Sequence, residues 1–373
     1  MRRIFFALAA GLALIVTMPA AAAEPETEAA NAAADYIIAL QNPDGGFPAF
    51  GDESSPGATL DAVFALVAVD RNVFEVTSNG SSPVDYLETQ AAAYAKDPGA
   101  AAKLAIGVAA LGLDASDFAG FDLLALMEGS FDEETGIYGL DLFDEALYML
   151  ALAAAGEPVP EALFEHLRTR RAVDGGWEFA PGGGSDTNTT AIVAQALIAG
   201  GAADDEHAVG AALGYLHAAQ NPDAGIGFVP DADTDPNSTA LAIQALAAAG
   251  EDIDTGGRWE VDGATPLDAL LSFQNPETGA FQFDATDSAF ATYQAVPALM
   301  LAPFPDLQSR GDAPNAATAS PTLEPGATAT PLPALPDSGS GAGGSALPFA
   351  ALVALAGAGA AALAAGRAAR RAA

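Results

Sequence analysis

The sequence predicts an all-α fold, an α6/α6 toroid of six helix-pair repeats. Three observations carry that prediction. The chain repeats itself: residues 215–250 (YLHAAQNPDAGIGFVPDADTDPNSTALAIQALAAAG) and 270–299 (LLSFQNPETGAFQFDATDSAFATYQAVPAL) hold the same parts in the same order. Each has a short amphipathic stretch ending in Gln-Asn-Pro, a Gly-aromatic turn, an acidic loop and an Ala-rich helix. One such unit cannot bury its own apolar face, so neighbours must stack. Second, the Ala-rich helices are apolar nearly all round, as helices covered on both sides must be. Third, the stretches between them are amphipathic, which implies an inner ring sheathed by an outer one. Six pairs can close on themselves; an open α-solenoid is the alternative.

Residues 1–23 read as a cleaved secretory signal: Arg2 and Arg3 precede an apolar run from Ile4 to Met18, and Ala21-Ala22-Ala23 is a small-residue cleavage site. The toroid occupies 29–305. The first helix of each unit ends near Gln41, Ala91, Phe131, Arg171, Gln220 and Gln274. The first helices include PVDYLETQ, PEALFEHLRTRR and ALGYLHAAQ, apolar inside and charged outside. The second helices are TLDAVFALVAVD, KLAIGVAALGLD, EALYMLALAAAG, TAIVAQALIAGG, TALAIQALAAAG and AFATYQAVPALMLA. Their alanines combine high helix propensity with close approach. Gly156, Gly200 and Gly250 stand where left-handed C-caps are expected. Residues 311–346 are rich in Pro, Thr, Ala, Ser and Gly and cannot bury enough surface to fold. They predict a stalk. Residues 347–366 form an uncharged run of bilayer-spanning length, and the 367–373 tail carries Arg367, Arg370 and Arg371, which holds that end in the cytoplasm.

Leu335, Pro336, Asp337, Ser338 and Gly339 stand just before that span. The order of LPxTG-like pentapeptide, apolar span and basic tail resembles the sorting signal of sortase-anchored bacterial surface proteins, with Ser338 in place of threonine. The resemblance implies a sortase partner that cuts after Ser338 and joins it to the cell envelope; otherwise the helix stays as a membrane anchor. Either way the protein is exported and held at the cell surface.

Composition fits that placement. With no cysteine there is no disulfide and no thiolate metal site. The folded region is long enough to close a core without staples. A net charge of −36 excludes nucleic acid and anionic membrane surfaces as partners.

The pattern L-x3-Q-x3-G-x-aromatic occurs as Ile37, Gln41, Gly45 and Phe47, and again as Leu167, Arg171, Gly175 and Trp177, with looser copies in LHAAQNPDAGIGF and LLSFQNPETGAF. It resembles the QW-type repeat of the prenyltransferase and squalene-cyclase superfamily, whose members are α/α toroids. That resemblance implies three kinds of function. Prenyltransferases hold zinc by Asp, Cys and His; without cysteine, and with only His166, His207 and His217, this chain cannot build that site. Squalene-hopene-type cyclases protonate an alkene with an acid of D-x-D-D-T-A. The nearest matches are Asp186-Thr187-Asn188-Thr189-Thr190-Ala191 and Asp235-Pro236-Asn237-Ser238-Thr239-Ala240. An amide cannot be the proton donor, so Asp186 and Asp235 are the only candidate acids of an isomerase or lyase acting on a prenyl substrate. The third kind is binding in the ring, as in cobalamin carriers of similar fold; a cobalamin-like ligand enters by that analogy alone, and no cofactor is predicted from the residues.

Binding has its own signal. Asn188 is followed seven residues later by Gln195, Asn237 by Gln244, and Asp287 by Gln294. Seven residues is almost two turns, so each pair shares a helix face. A glutamine buried in an Ala-rich helix must be hydrogen-bonded. The expected ligand site is therefore Asp186, Asn188, Gln195, Asp235, Asn237, Gln244, Asp287 and Gln294, a polar mouth for a small molecule or an envelope glycan or lipid. The competing expectation is structural, since Asp, Asn, Ser and Thr before a helix are ordinary N-caps. Asp231, Asp233, Asp235 and Asn237 have the alternating spacing of a calcium loop, but Pro236 replaces the usual glycine and no bidentate Glu follows. Trp177, Trp259, Phe47, Phe228 and Phe281 fall in turns, where they plug the gaps between units. The sequence thus predicts a binding or adhesion module, with a cyclase and a purely structural envelope component as alternatives.

Overall fold

The computed structural model describes residues 24–307 except 204, 254 and 255. The signal at 1–23, the stalk at 311–346 with Leu335–Gly339, the span at 347–366 and the basic tail at 367–373 lie outside the described residues. Among the described residues no helix is long and apolar enough to cross a membrane.

Among the described residues twelve α-helices alternate between an outer and an inner ring. The pairs are α1 (Pro25–Ala39) with α2 (Pro56–Ala68), α3 (Pro83–Tyr94) with α4 (Pro98–Ala110), and α5 (Leu123–Glu128) with α6 (Leu142–Ala155). They continue as α7 (Glu161–Thr169) with α8 (Thr187–Leu197), α9 (Val209–Ala218) with α10 (Pro236–Ala248), and α11 (Pro266–Leu271) with α12 (Ala289–Leu299). Each inner helix packs on the next, from α2 through α4, α6, α8 and α10 to α12, and α12 packs back on α2. The ring is closed. Nearly every residue of the inner helices is buried, which is why they are apolar all round. Among the described residues three two-residue hairpins, not foreseen from sequence, stand between helices: β1–β2 (Phe131–Asp132, Ile137–Tyr138), β3–β4 (Trp177–Glu178, Ser185–Asp186) and β5–β6 (Gln282–Phe283, Thr286–Asp287).

The inner helices start on side-chain caps. Ser55, Asp97, Asp141, Asp186, Asp235 and Ser288 each accept a backbone N–H from the first turn of their own helix. At the far end Gly156 and Gly250 take the left-handed conformation expected of them. Gly200 does not. It lies in a π-helical turn, Ile198–Ala202, against Phe164 and Met149, and Gly201 supplies the positive φ of 101°.

The repeat motif is the mortar between units. Gln41 Nε2 donates to the Gly45 carbonyl of its own turn at 3.0 Å and to the Val76 carbonyl of the next unit at 3.2 Å. Gln220 does the same with Ala224 and Trp259, at 3.0 and 2.7 Å. Gln274 closes the circle, bonding Gly279 at 3.0 Å and Ala29 of the first unit at 2.8 Å. Gly45 (φ 89°) lies against the Ser82 carbonyl, where a Cβ has no room. Phe47, Trp177 and Phe281 fill the gaps as expected, each wholly buried, with backbone N–H groups donated to Thr59, Thr190 and Thr292 Oγ1. In the fifth unit the plug is Ile226, bonded to Thr239 Oγ1, and Ala224 adopts φ 66° in the glycine's place. Phe228 therefore does not plug the seam; it is half-buried two residues further on.

After α12 the chain folds back. A 3₁₀ turn, Phe304–Asp306, packs on α4 and α6 and sets the Phe304 ring edge-on against Phe64, 5.2 Å between centroids. This turn stops one end of the ring.

Candidate functional site at the ring centre

Counting from the caps shows what faces the centre. The sixth residue after each cap is Asp61, Lys103, Leu147, Ile192, Leu241 or Gln294. Five of these, all but Ile192, line a residual cavity of about 20 Å³, together with Phe64, Phe143, Gln244, Tyr293, Pro297 and Phe304. That volume holds about one water molecule.

The cavity is polar on one side. Asp61 and Lys103 form an ion pair of 2.7 Å with side chains 7% and 1% exposed. Lys103 Nζ also donates to the Gly57 carbonyl at 2.9 Å. Burial pushes the Asp61 carboxyl up and the Lys103 ammonium down to about 8, and each partner opposes the other's shift. Asn237 Nδ2 donates to Gln294 Oε1 at 2.6 Å. Gln195 Oε1 accepts the Phe304 N–H at 3.3 Å, tying α8 to the stopper. Asn188 Oδ1, Gln195 Nε2, Ser238 Oγ and Gln244 Oε1 are buried and carry no hydrogen bond. Each such atom costs about 1–3 kcal/mol of desolvation.

The sequence-predicted residues divide. Gln244 and Gln294 line the cavity, joined by Asn237 through its bond to Gln294, while Asn188 and Gln195 are buried in the neighbouring helix. Asp186 and Asp235 are caps: Oδ1 of each accepts a backbone N–H, from Thr189 and Ser238, at 2.8 Å. Burial pushes both carboxyls up to about 6 against those hydrogen bonds. Asp287 does not join them. It precedes the cap Ser288 and fastens its own loop, accepting from Asn275 at 3.0 Å, Thr278 at 2.7 Å and Gln282 at 2.9 Å. Its seven-residue spacing to Gln294 is thus out of register with the other two pairs, whose asparagines lie two residues after the cap.

The calcium pattern does not converge either. Asp231 and Asp233 are exposed, whereas Asp235 and Asn237 are buried and turned to Ser238 and Gln294. Among the described residues no three His, Asp or Glu side chains are grouped to hold a metal ion. Sequence reasoning missed Asp61 and Lys103. The signal was present: one acid and one base stand alone in otherwise apolar inner helices, where neither is buried without a partner.

No protein-family model and no curated protein matches the chain. Solved structures do. The type II terpene cyclase MstE from Scytonema aligns at 16% identity with a TM-score of 0.53, over 74% of this chain and 97% of the cyclase. A variant of that enzyme holding its substrate geranylgeranyl dihydroxybenzoate aligns with a TM-score of 0.52 over the same shares. A protein from Actinoplanes aligns at 13% identity with a TM-score of 0.53, over 74% of this chain and 99% of its own. The chain therefore has the α/α-toroid fold of type II terpene cyclases.

Proposed function

We propose that the ring binds a small amphipathic molecule of the prenyl type at its centre. Its polar end lies on Gln244, Gln294 and the Asp61–Lys103 pair, and its apolar body on Phe64, Phe143, Leu147 and Leu241, in the space Phe304 now fills. The observation that carries this reading is Gln244, a buried amide on the cavity wall whose Oε1 has no partner. A ring that needed only to pack would place leucine there, as it does at Leu147 and Leu241. Since the residual cavity holds about one water, binding requires the 3₁₀ turn to withdraw. Calorimetry with geranylgeraniol tests this. Phe304→Ala is expected to tighten binding about tenfold or more, and Gln244→Leu to weaken it by a similar factor. Absence of heat with the wild type and Phe304→Ala alike sinks the proposal.

A second reading, a cyclase acting on a prenyl substrate, draws on the fold neighbours and on two buried carboxyls, Asp186 and Asp235, that burial pushes up to about 6. Against it, both carboxylates are committed to helix caps, and Asn188 and Thr189 stand where the resemblance implies acids. Turnover of a geranylgeranyl-bearing arene that is abolished in Asp186→Asn would establish it. The location proposed is the cell surface, supported by the signal-like residues 1–23 and the order of Leu335–Gly339, apolar span and basic tail. Mass spectrometry of envelope digests decides between the two modes: a peptide ending at Ser338 joined to envelope material marks sortase processing, and an intact C-terminus marks a retained helix.

A further inference from the structure

A larger opening lies elsewhere, between the third and fourth units. The β1–β2 hairpin, the start of α6, helix α7 and the β3–β4 hairpin enclose a cleft of about 200 Å³, against about 20 Å³ at the ring centre. Its floor is Glu145, a residue 3% exposed. Glu145 Oε1 lies 3.4 Å from His166 Nε2, while Oε2 is buried and makes no hydrogen bond. His166 Nδ1 is 3.1 Å from the Thr135 carbonyl. A carbonyl can only accept, which assigns the ring proton to Nδ1 and leaves Nε2 facing Glu145.

The walls carry opposite character on two sides. Asp141 and Glu178 add two more acids, and the single fixed cation, Arg170, lies 3.6 Å from Glu178 Oε1. The rim is apolar and open: Leu140 is 79% exposed and Ile137 42% exposed, with Phe179 beside them. Acids therefore outnumber the fixed cation in the cleft of a strongly acidic chain, and electrostatic complementarity selects a cationic ligand. An ammonium carries only donors, and a buried carboxylate oxygen without a partner needs one. We propose that this cleft is a second ligand site, taking a small amine on an apolar body, with the ammonium on Glu145 Oε2 and the apolar part on Ile137, Leu140 and Phe179.

The protonation states agree with this geometry. Burial pushes Glu145 up to about 8; Arg170 opposes the rise, and Asp141 and Asp144 add to it. Burial also lowers His166, helped by Arg170 and opposed by the Thr135 carbonyl. With Glu145 raised above its ordinary value, an arriving ammonium favours the carboxylate form and draws off a proton.

Titration calorimetry with phenethylamine and its neutral isostere 2-phenylethanol, at pH 7 in two buffers of different ionisation heat, tests the site. The amine is expected to bind with Kd on the order of 1 mM, about tenfold or more below the alcohol, with release of a proton. Glu145→Gln is expected to erase that preference, and Leu140→Ala to weaken both ligands a few-fold. In the unmutated protein, backbone amide shifts on adding amine should centre on Leu140, Glu145 and His166, which keeps the test open should a variant fail to fold. Equal affinity for amine and alcohol marks the cleft as a neutral or purely apolar site and overturns the proposal. So do unchanged amine binding in Glu145→Gln, amide shifts centred elsewhere, or no heat from the amine at about 10 mM. The ring-centre ligand and this one are read by different variants, so either site can fail alone.

Discussion

Asp61 and Lys103 hold each other inside an almost dry ring, and neither survives there alone. Removing one partner strands a buried charge, so Lys103→Met is expected to cost about 3–5 kcal/mol in urea denaturation, whereas the double change Asp61→Leu/Lys103→Met is close to neutral. A cost below about 1 kcal/mol for the single change would mean that water reaches the pair. The other buried acids act together on pH dependence. Glu145, Asp144, Asp186 and Asp235 are raised by burial to about 8, 7, 6 and 6, above the unfolded value near 4. A raised carboxyl binds its proton more tightly when folded, so its stabilisation is complete below about pH 4 and is lost as pH rises through the folded values. The melting temperature should therefore climb by roughly 3–10 °C from pH 8 to pH 5 at constant ionic strength. A higher value at pH 8 contradicts the burial of these groups.

Helices and turns repeat with a grammar that was only partly readable from the residues. The inner helices, the recurrence of Gln-Asn-Pro and most aromatic plugs were legible because each rests on a local pattern that recurs, whereas the bonds from Gln41, Gln220 and Gln274 to neighbouring units were not. Asp287 misled because the repeats were aligned on acidic residues. Aligned on the caps, Asp287 matches Thr234, which likewise precedes a cap and bonds the loop asparagine, here Asn221 at 3.0 Å. The same alignment brings Asp61, Lys103 and Gln294 to one level of the ring, three helices that a period of seven within single helices could never connect. The stopper was not legible at all, because Phe304 acts through contacts with α4 and α6, far away in sequence. Two variants test these elements. Gln274→Ala loses both staple bonds of the closing seam and is expected to cost about 1–3 kcal/mol, since two buried carbonyls lose their donor. Phe304→Ala removes a half-buried ring and should cost roughly 2–3 kcal/mol, which calorimetric unfolding would resolve.

At the scale of the whole molecule, closure is what the six units achieve together: no terminal repeat needs a polar outer face, and the fold has no exposed end of the stack. Closure also makes one seam unlike the others. Gln41 reaches the next unit across 35 residues and Gln220 across 39, but Gln274 reaches Ala29, and Tyr293 reaches Pro48, across 245. The entropy of bringing chain ends together grows with the logarithm of the span, about 5 kcal/mol for the last seam against about 3 kcal/mol for the others. The staple at that seam is of the same kind as those from Gln41 and Gln220, so the ring should zip up unit by unit and clasp last where α12 meets α1 and α2. Opening runs the same course in reverse. Hydrogen exchange should be fastest, among the inner helices, in α12 and α2 and slowest in α6 and α8 on the opposite side of the circle. A circular permutant joined across that seam and cut between α6 and α7 would move the weak point to the new cut, because it belongs to the order of the chain and not to any residue at the clasp.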